Sequence, residues 1–137
     1  MARDKYHDIV KHALESDGWE ITDDPLKIET GDRTIQIDLG AERIIGAEKK
    51  GEKIAVEIKS FLGLSPLTDF YNALGQFNFY QLALEKTEPN RALFLAVPHI
   101  AYNSFFNETL TKEAVKRFNI RIIVYHIQQA IIIKWEK

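Results

Sequence analysis

The feature that most constrains this chain is the run KIAVEIKSF, residues 53–61. Side chains alternate between the two faces of a strand. Ile54, Val56, Ile58 and Ser60 therefore point one way, and Lys53, Ala55, Glu57, Lys59 and Phe61 the other. The first set demands a core. The second places a carboxylate and an ammonium two residues apart on one face of a strand this apolar. Buried charges are costly unless they are paired or put to use, so Glu57 and Lys59 are either a structural ion pair or the start of a site.

The elements around this strand indicate what it packs against. DKYHDIVKHALESDG places Tyr6, Ile9, Val10, Ala13 and Leu14 at helical spacing, with Gly18 as a stop. DDP reads as a turn. LKIET, TIQIDL, ERIIGAE and KIAVEIKSF read as strands separated by GD and KKGE, with two or three of them pairing as antiparallel hairpins. A helix is expected from about Pro66 to Lys86, capped by Ser65, with Leu67, Phe70, Tyr71, Leu74, Phe77 and Leu84 on a wide apolar face. ALFLAV is short and unbroken, the pattern of a central buried strand. PHIAYNSFF and LTKEAVKRFN read as short helices, and IRIIVY and AIIIKW as a closing pair of strands. The expectation is an α/β or α+β domain in the order αβββαβ, with a mixed central sheet flanked by helices. At 137 residues it forms one domain, 1–137.

Composition narrows the chemistry. With no cysteine, disulfides, thiolate zinc sites and a cysteine nucleophile are excluded. MARDKYHDIV has no secretory h-region, and no apolar run is long enough for a membrane span. The expectation is a cytoplasmic protein without a membrane partner. A net charge of −2 gives no global basic field, so any DNA contact needs a local patch. Lys49, Lys50 and Lys53 form one such cluster and Lys112, Lys116, Arg117 and Arg121 another, though charge runs are usually solvated faces. His7, His12, His99 and His126 show no metal-ligand spacing.

Asp38 ends the apolar strand TIQIDL at the point where its pattern breaks. Two carboxylates from neighbouring strand ends, Asp38 and Glu57, can hold a hard ion such as Mg²⁺ or Mn²⁺. Lys59 beside them can orient or deprotonate a water and stabilise a pentavalent transition state. Asp38 also opens the strand exit DLG, which closes on Gly40, so a turn role competes with ligation.

An acidic strand end, a hairpin and then VEIKS together resemble the PD-(D/E)XK, or restriction-endonuclease-like, nuclease superfamily, whose core order is also similar. The resemblance implies Asp38 and Glu57 as metal ligands and Lys59 as the catalytic lysine. The chain departs from the pattern in lacking a proline before Asp38. The gap to Glu57 is also roomy, so Glu42 competes for the first carboxylate position. Some members carry an acidic residue on the first helix, here Asp8 or Glu15. Others carry Q-x-x-x-Y after the E-x-K strand, here Gln76 and Tyr80, with Gln76 orienting the phosphate or the lysine. Core packing is the competing role for Gln76 and Tyr80.

More narrowly, ARDKYHD, DGWEITDDPL, IDLGAERIIGAEK, KIAVEIKSF, NALGQFNFY and LFLAVP resemble the fdxN-element excision controlling factor family, XisH, from Ala2 to beyond Pro98. That resemblance implies a role in timed excision of a DNA element in heterocyst-forming cyanobacteria. A separate recombinase and a small companion protein, XisI, would be its partners. The alternative to catalysis is a regulatory protein binding DNA, the recombinase or the companion. The apolar IRIIVYHIQQAIIIKW would supply an edge for homo-oligomerisation or docking, unless it is an ordinary core pair.

Overall fold

The first helix, α1 (His7–Ser16), forms because Val10, Ala13 and Leu14 fall on one face and are buried together. It ends where Gly18 takes a positive φ of 94°, a conformation glycine adopts without strain. The computed structural model describes residues 6–35 and 44–137. Asp38 and Glu42 lie outside the described residues.

After α1 comes β1 (Glu20–Asp23), then a separate two-stranded sheet of β2 (Ile28–Glu29) and β3 (Thr34–Ile35). β4 (Ile44–Lys49) and β5 (Glu52–Ile58) form an antiparallel hairpin. Its two turn residues, Lys50 and Gly51, both have positive φ, the sign pattern of a tight type I′ connection. The helix α2 (Pro66–Thr87) starts where the Ser65 hydroxyl accepts from the Thr68 N–H at 3.2 Å. Pro66 occupies its first turn, where a missing N–H costs nothing. It crosses to β6 (Arg91–Pro98), which runs parallel to β5. Two short helices, α3 (His99–Asn103) and α4 (Thr109–Arg117), flank a 3₁₀ turn at Phe105–Asn107. They lead to β7 (Ile122–His126), parallel to β6, and β8 (Ile131–Glu136), antiparallel to β7. The main sheet runs β1-β4-β5-β6-β7-β8.

The sheet is covered on both faces. Ala55, Leu93, Leu95, Val97, Ile122 and Val124 pack with Phe70, Ala73, Phe77, Tyr80 and Leu84 of α2. Ile54, Val56, Ile58, Phe94, Ala96, Ile123 and Tyr125 pack with Val10 and Leu14 of α1 and with Trp19. At the opposite end of β5 from Glu57, Arg91 donates to the Ile54 carbonyl at 2.9 Å and to Glu88 at 3.0 Å. Gly46 lies close under two side-chain ends, which a larger residue would have to push aside. A Cβ there would come within 2.8 Å of Asp23 Oδ2 and 2.9 Å of Arg91 Nη1. No described helix is long and apolar enough to cross a membrane.

The mixed α+β architecture, with helices on a mixed sheet, is as expected. The strand pattern differs from the expectation in three places. β1 was not anticipated as a strand: EITD is short, alternates exposed and half-buried residues, and lies at the sheet edge. LKIET and TIQIDL contribute to the separate two-stranded sheet rather than to the central one, as far as they are described. The strand over KIAVEIKSF ends at Ile58. Phe61 has φ 56° and packs its ring edge-on against Phe106 at 5.1 Å, so the alternation stops short of it.

Candidate functional site

Glu57 is the penultimate residue of β5, and Lys59 lies one past the strand's end. The Lys59 N–H still bonds the Ala96 carbonyl at 3.2 Å. The ladder to β6 thus extends through Lys59 and keeps it on the same side as Glu57. That side is the α2 face: Ala55 belongs to the core under α2, whereas Ile54, Val56 and Ile58 belong to the core under α1. Glu57 is 0% exposed and Lys59 is 3% exposed. The sheet therefore holds a carboxylate and an ammonium together, out of water, beneath the longest helix.

Parity on the strand does the positioning. Glu57 is paired with Ile44 on one side and Leu95 on the other, so the chain enters β4 directly beside it. The segment with Asp38 and Glu42 is the connection from β3 to that point, outside the described residues. Among the described residues no group of three or more His, Asp or Glu side chains could hold a metal ion.

α2 supplies the roof. Tyr80 is buried in the core against the sheet, and Gln76, one turn earlier, is half-buried. The Gln76 Oε1 is screened from solvent and accepts no hydrogen bond among the described residues. A buried amide oxygen without a donor is costly, so this acceptor is suited to a donor that arrives from outside. Asp8 and Glu15 belong to α1, which covers the opposite face. Both are solvent-exposed, Asp8 to 80%.

Two further groupings carried no signal in the sequence. His7 is buried, with Nε2 2.9 Å from Asp24 and Nδ1 3.2 Å from Asp8, and Lys11 reaches the other Asp24 oxygen at 2.9 Å. Burial pushes the Asp24 carboxyl up, but the Lys11 and His7 hydrogen bonds and charges outweigh it and hold the pKa below the ordinary value. His99 and His126 stack with ring centroids 4.2 Å apart and planes within 3°. Each accepts a backbone N–H at Nδ1, from Ile127 and Gln129 respectively, which is a structural use of both rings. Local spacing could not have completed either grouping, because Asp24 reaches α1, and His126 reaches His99, from distant parts of the chain.

A family model described as XisH protein matches residues 1–133. Two solved structures are similar over nearly their whole length. One is an XisH family protein from Nostoc punctiforme PCC 73102, 42% identical, covering 98% of this chain and 100% of that one with a TM-score of 0.90. The other is an fdxN element excision controlling factor protein from Anabaena variabilis, 44% identical, covering 96% and 98% with a TM-score of 0.89. No curated protein gives a significant match.

Proposed function

Since the chain belongs to the XisH family, we propose that it acts in programmed excision of a DNA element as an endonuclease-like factor, with Glu57 and Lys59 at its reactive centre. The observation that carries this is the burial of both side chains on the α2 face at the end of β5. A pair that only braced a strand gains little from such a position, because desolvation offsets the attraction. A pair that meets a phosphate needs water excluded, since electrostatic stabilisation strengthens in a dry site.

In this proposal the fold is of the PD-(D/E)XK kind. Glu57 with Asp38, or with Glu42 in its place, would hold Mg²⁺ or Mn²⁺. Such an ion, when bound, supplies charge stabilisation at the phosphate and a more acidic water. Lys59 orients the attacking water and accepts or shares its proton. Gln76 presents its Oε1 to that water or to the lysine ammonium, and Tyr80 fixes the roof. DNA is the substrate, in the cytoplasm, and a companion protein such as XisI and self-association through the C-terminal strands complete the assembly.

The test pairs metal titration with cleavage. Saturable Mg²⁺ or Mn²⁺ binding by calorimetry, absent in Glu57→Gln, is expected together with nicking of supercoiled DNA. Lys59→Gln should lower nicking by about 100-fold or more while its circular dichroism spectrum matches the parent. Absence of both binding and nicking would reject the nuclease.

A second proposal has its own support. The Anabaena variabilis relative is named as a controlling factor, and the net charge of −2 is unfavourable for a stand-alone DNA cutter. Here the protein keeps the site as inherited architecture and acts by binding DNA, the recombinase or the companion. Metal binding without nicking, or neither, favours this second form.

A further inference from the structure

On the flank of α2 away from Gln76 lies an open groove of about 880 Å³, walled by α2, α4 and the start of β7. Gln76 and Gln81 are five residues apart, hence roughly 140° apart around the helix. Four cations line this groove: Lys137, whose ammonium lies 5.9 Å from the Trp135 ring centroid, and three others, Lys112 and Lys116, one turn apart on α4, and Arg121 just before β7. None of the three forms an ion pair among the described residues, although the chain is acidic overall. The acids in the same groove are engaged by neighbours. Glu85 accepts from Gln81 Nε2 at 3.2 Å, and Glu136 accepts from the Tyr102 hydroxyl and lies 3.3 Å from the Lys134 ammonium.

The rest of the lining is carboxamide, aromatic and aliphatic, the last from Val115, Ile120 and Ile122. Asn78, Gln81 and Asn119 face the cations, and Phe118 presents a ring that is 46% exposed. Gln81 Oε1 is screened from solvent and accepts no hydrogen bond among the described residues. An inorganic anion would satisfy the cations but has no use for an amide acceptor or a phenyl face. An acidic peptide would use the cations, but offers a planar ring with a donor edge only where it carries Trp or His. An unpaired nucleotide offers all three: a phosphate, a flat face and an N–H edge. In a duplex the base edges are paired and stacked away from such a wall.

We propose that this groove binds single-stranded DNA, with phosphates on Lys112, Lys116 and Arg121, a base stacked on Phe118 and its N–H edge on Gln81. The site is separate from Glu57 and Lys59, so it stands whether or not that pair cleaves. In an excision factor it would hold a displaced strand.

The test uses the full chain and a fluorescein-labelled, mixed-sequence DNA strand of about ten nucleotides, within the site size of single-strand binders. Anisotropy titrations at several salt concentrations are expected to give saturable binding that weakens with salt. The combined Lys112→Gln, Lys116→Gln and Arg121→Gln variant should bind at least about 30-fold more weakly at low salt. Its log–log salt slope should be shallower by about 2 units, three contacts at roughly 0.7 each. Gln81→Leu should weaken binding several-fold with the salt slope unchanged. Lys50→Gln with Lys53→Gln, which removes charge from the β4–β5 hairpin instead, should bind like the parent. The proposal is overturned if the triple variant binds as the parent does. It is also overturned if the corresponding duplex binds as tightly, or if polyglutamate of equal charge displaces the strand as well as unlabelled DNA does.

Discussion

The two flanks of α2 use charge in opposite ways. Toward the sheet, the helix roofs a face from which Glu57 and Lys59 are almost wholly withdrawn from water. Toward α4, its Asn78 and Gln81 line an open groove in which Lys112, Lys116 and Arg121 form no ion pair among the described residues. A charge with no water depends on the fold around it, and the fold depends on that charge being satisfied. A charge in an open groove is nearly independent of the fold, because water screens it. The same residue types therefore mean different things a helix-width apart: removal from water ties Glu57 and Lys59 to folding, and solvation leaves Lys112, Lys116 and Arg121 available for a ligand.

The sharpest way to break this contrast is to remove one buried charge and leave the other. Glu57→Leu or Lys59→Met alone is expected to cost about 3–5 kcal/mol, since each leaves a charge without compensation in the interior. Urea denaturation should show the loss as a lower midpoint with an unchanged slope. The double substitution should be less damaging than either single, because no orphaned charge remains. If the two losses simply add, Glu57 and Lys59 do not support each other and the burial argument fails.

A half-buried charge should fall between the two flanks. Asp24 has a side chain 17% exposed, with His7 and Lys11 on its oxygens, and those partners hold its pKa below the ordinary 3.8 despite burial. Asp24→Asn is expected to cost about 1–2 kcal/mol at neutral pH, from hydrogen bonds to a charged group that is still partly wet. The sign follows from linkage. The unfolded carboxylate takes up its proton first, so the stabilisation is complete above about pH 4 and is lost as pH falls through the lowered folded value. Denaturation of parent and variant at pH 7 and pH 3 should show the gap closing in acid. A gap that stays constant would mean that the Asp24 contribution is not ionic.

What could be read beforehand follows the same division. The parity of KIAVEIKSF put Glu57 and Lys59 on one face, and α2 was legible from Ser65, Pro66 and its apolar periodicity, because both signals are local. β1 was not legible, since a half-exposed edge strand has no apolar run to mark it. Nor was the end of β5 ahead of Phe61, whose backbone is held by packing on Phe106 from a distant turn. The groove was half legible: the cluster at Lys112, Lys116 and Arg121 is plain in sequence. What makes it a wall is Gln81 on the other side, which only the crossover through β6 and the two short helices brings there. Asp38 and Glu42 lie outside the described residues.

The smallest expected effect on stability is the most informative about the groove. Replacing Lys112, Lys116 and Arg121 with Gln should change stability by less than about 0.5 kcal/mol per site. None of them has an ion-pair partner among the described residues to lose. The sign should be neutral or slightly stabilising, because three like charges along one wall repel each other. Thermal and urea unfolding of the triple variant at low salt would measure it, and added salt should erase any gain by screening the repulsion. Stabilisation at low salt that vanishes at high salt would mean the cluster is kept at a cost to the fold, which only a ligand can justify. A clear loss would mean that the cations brace α4 or β7, and the groove would then resemble the buried flank rather than oppose it.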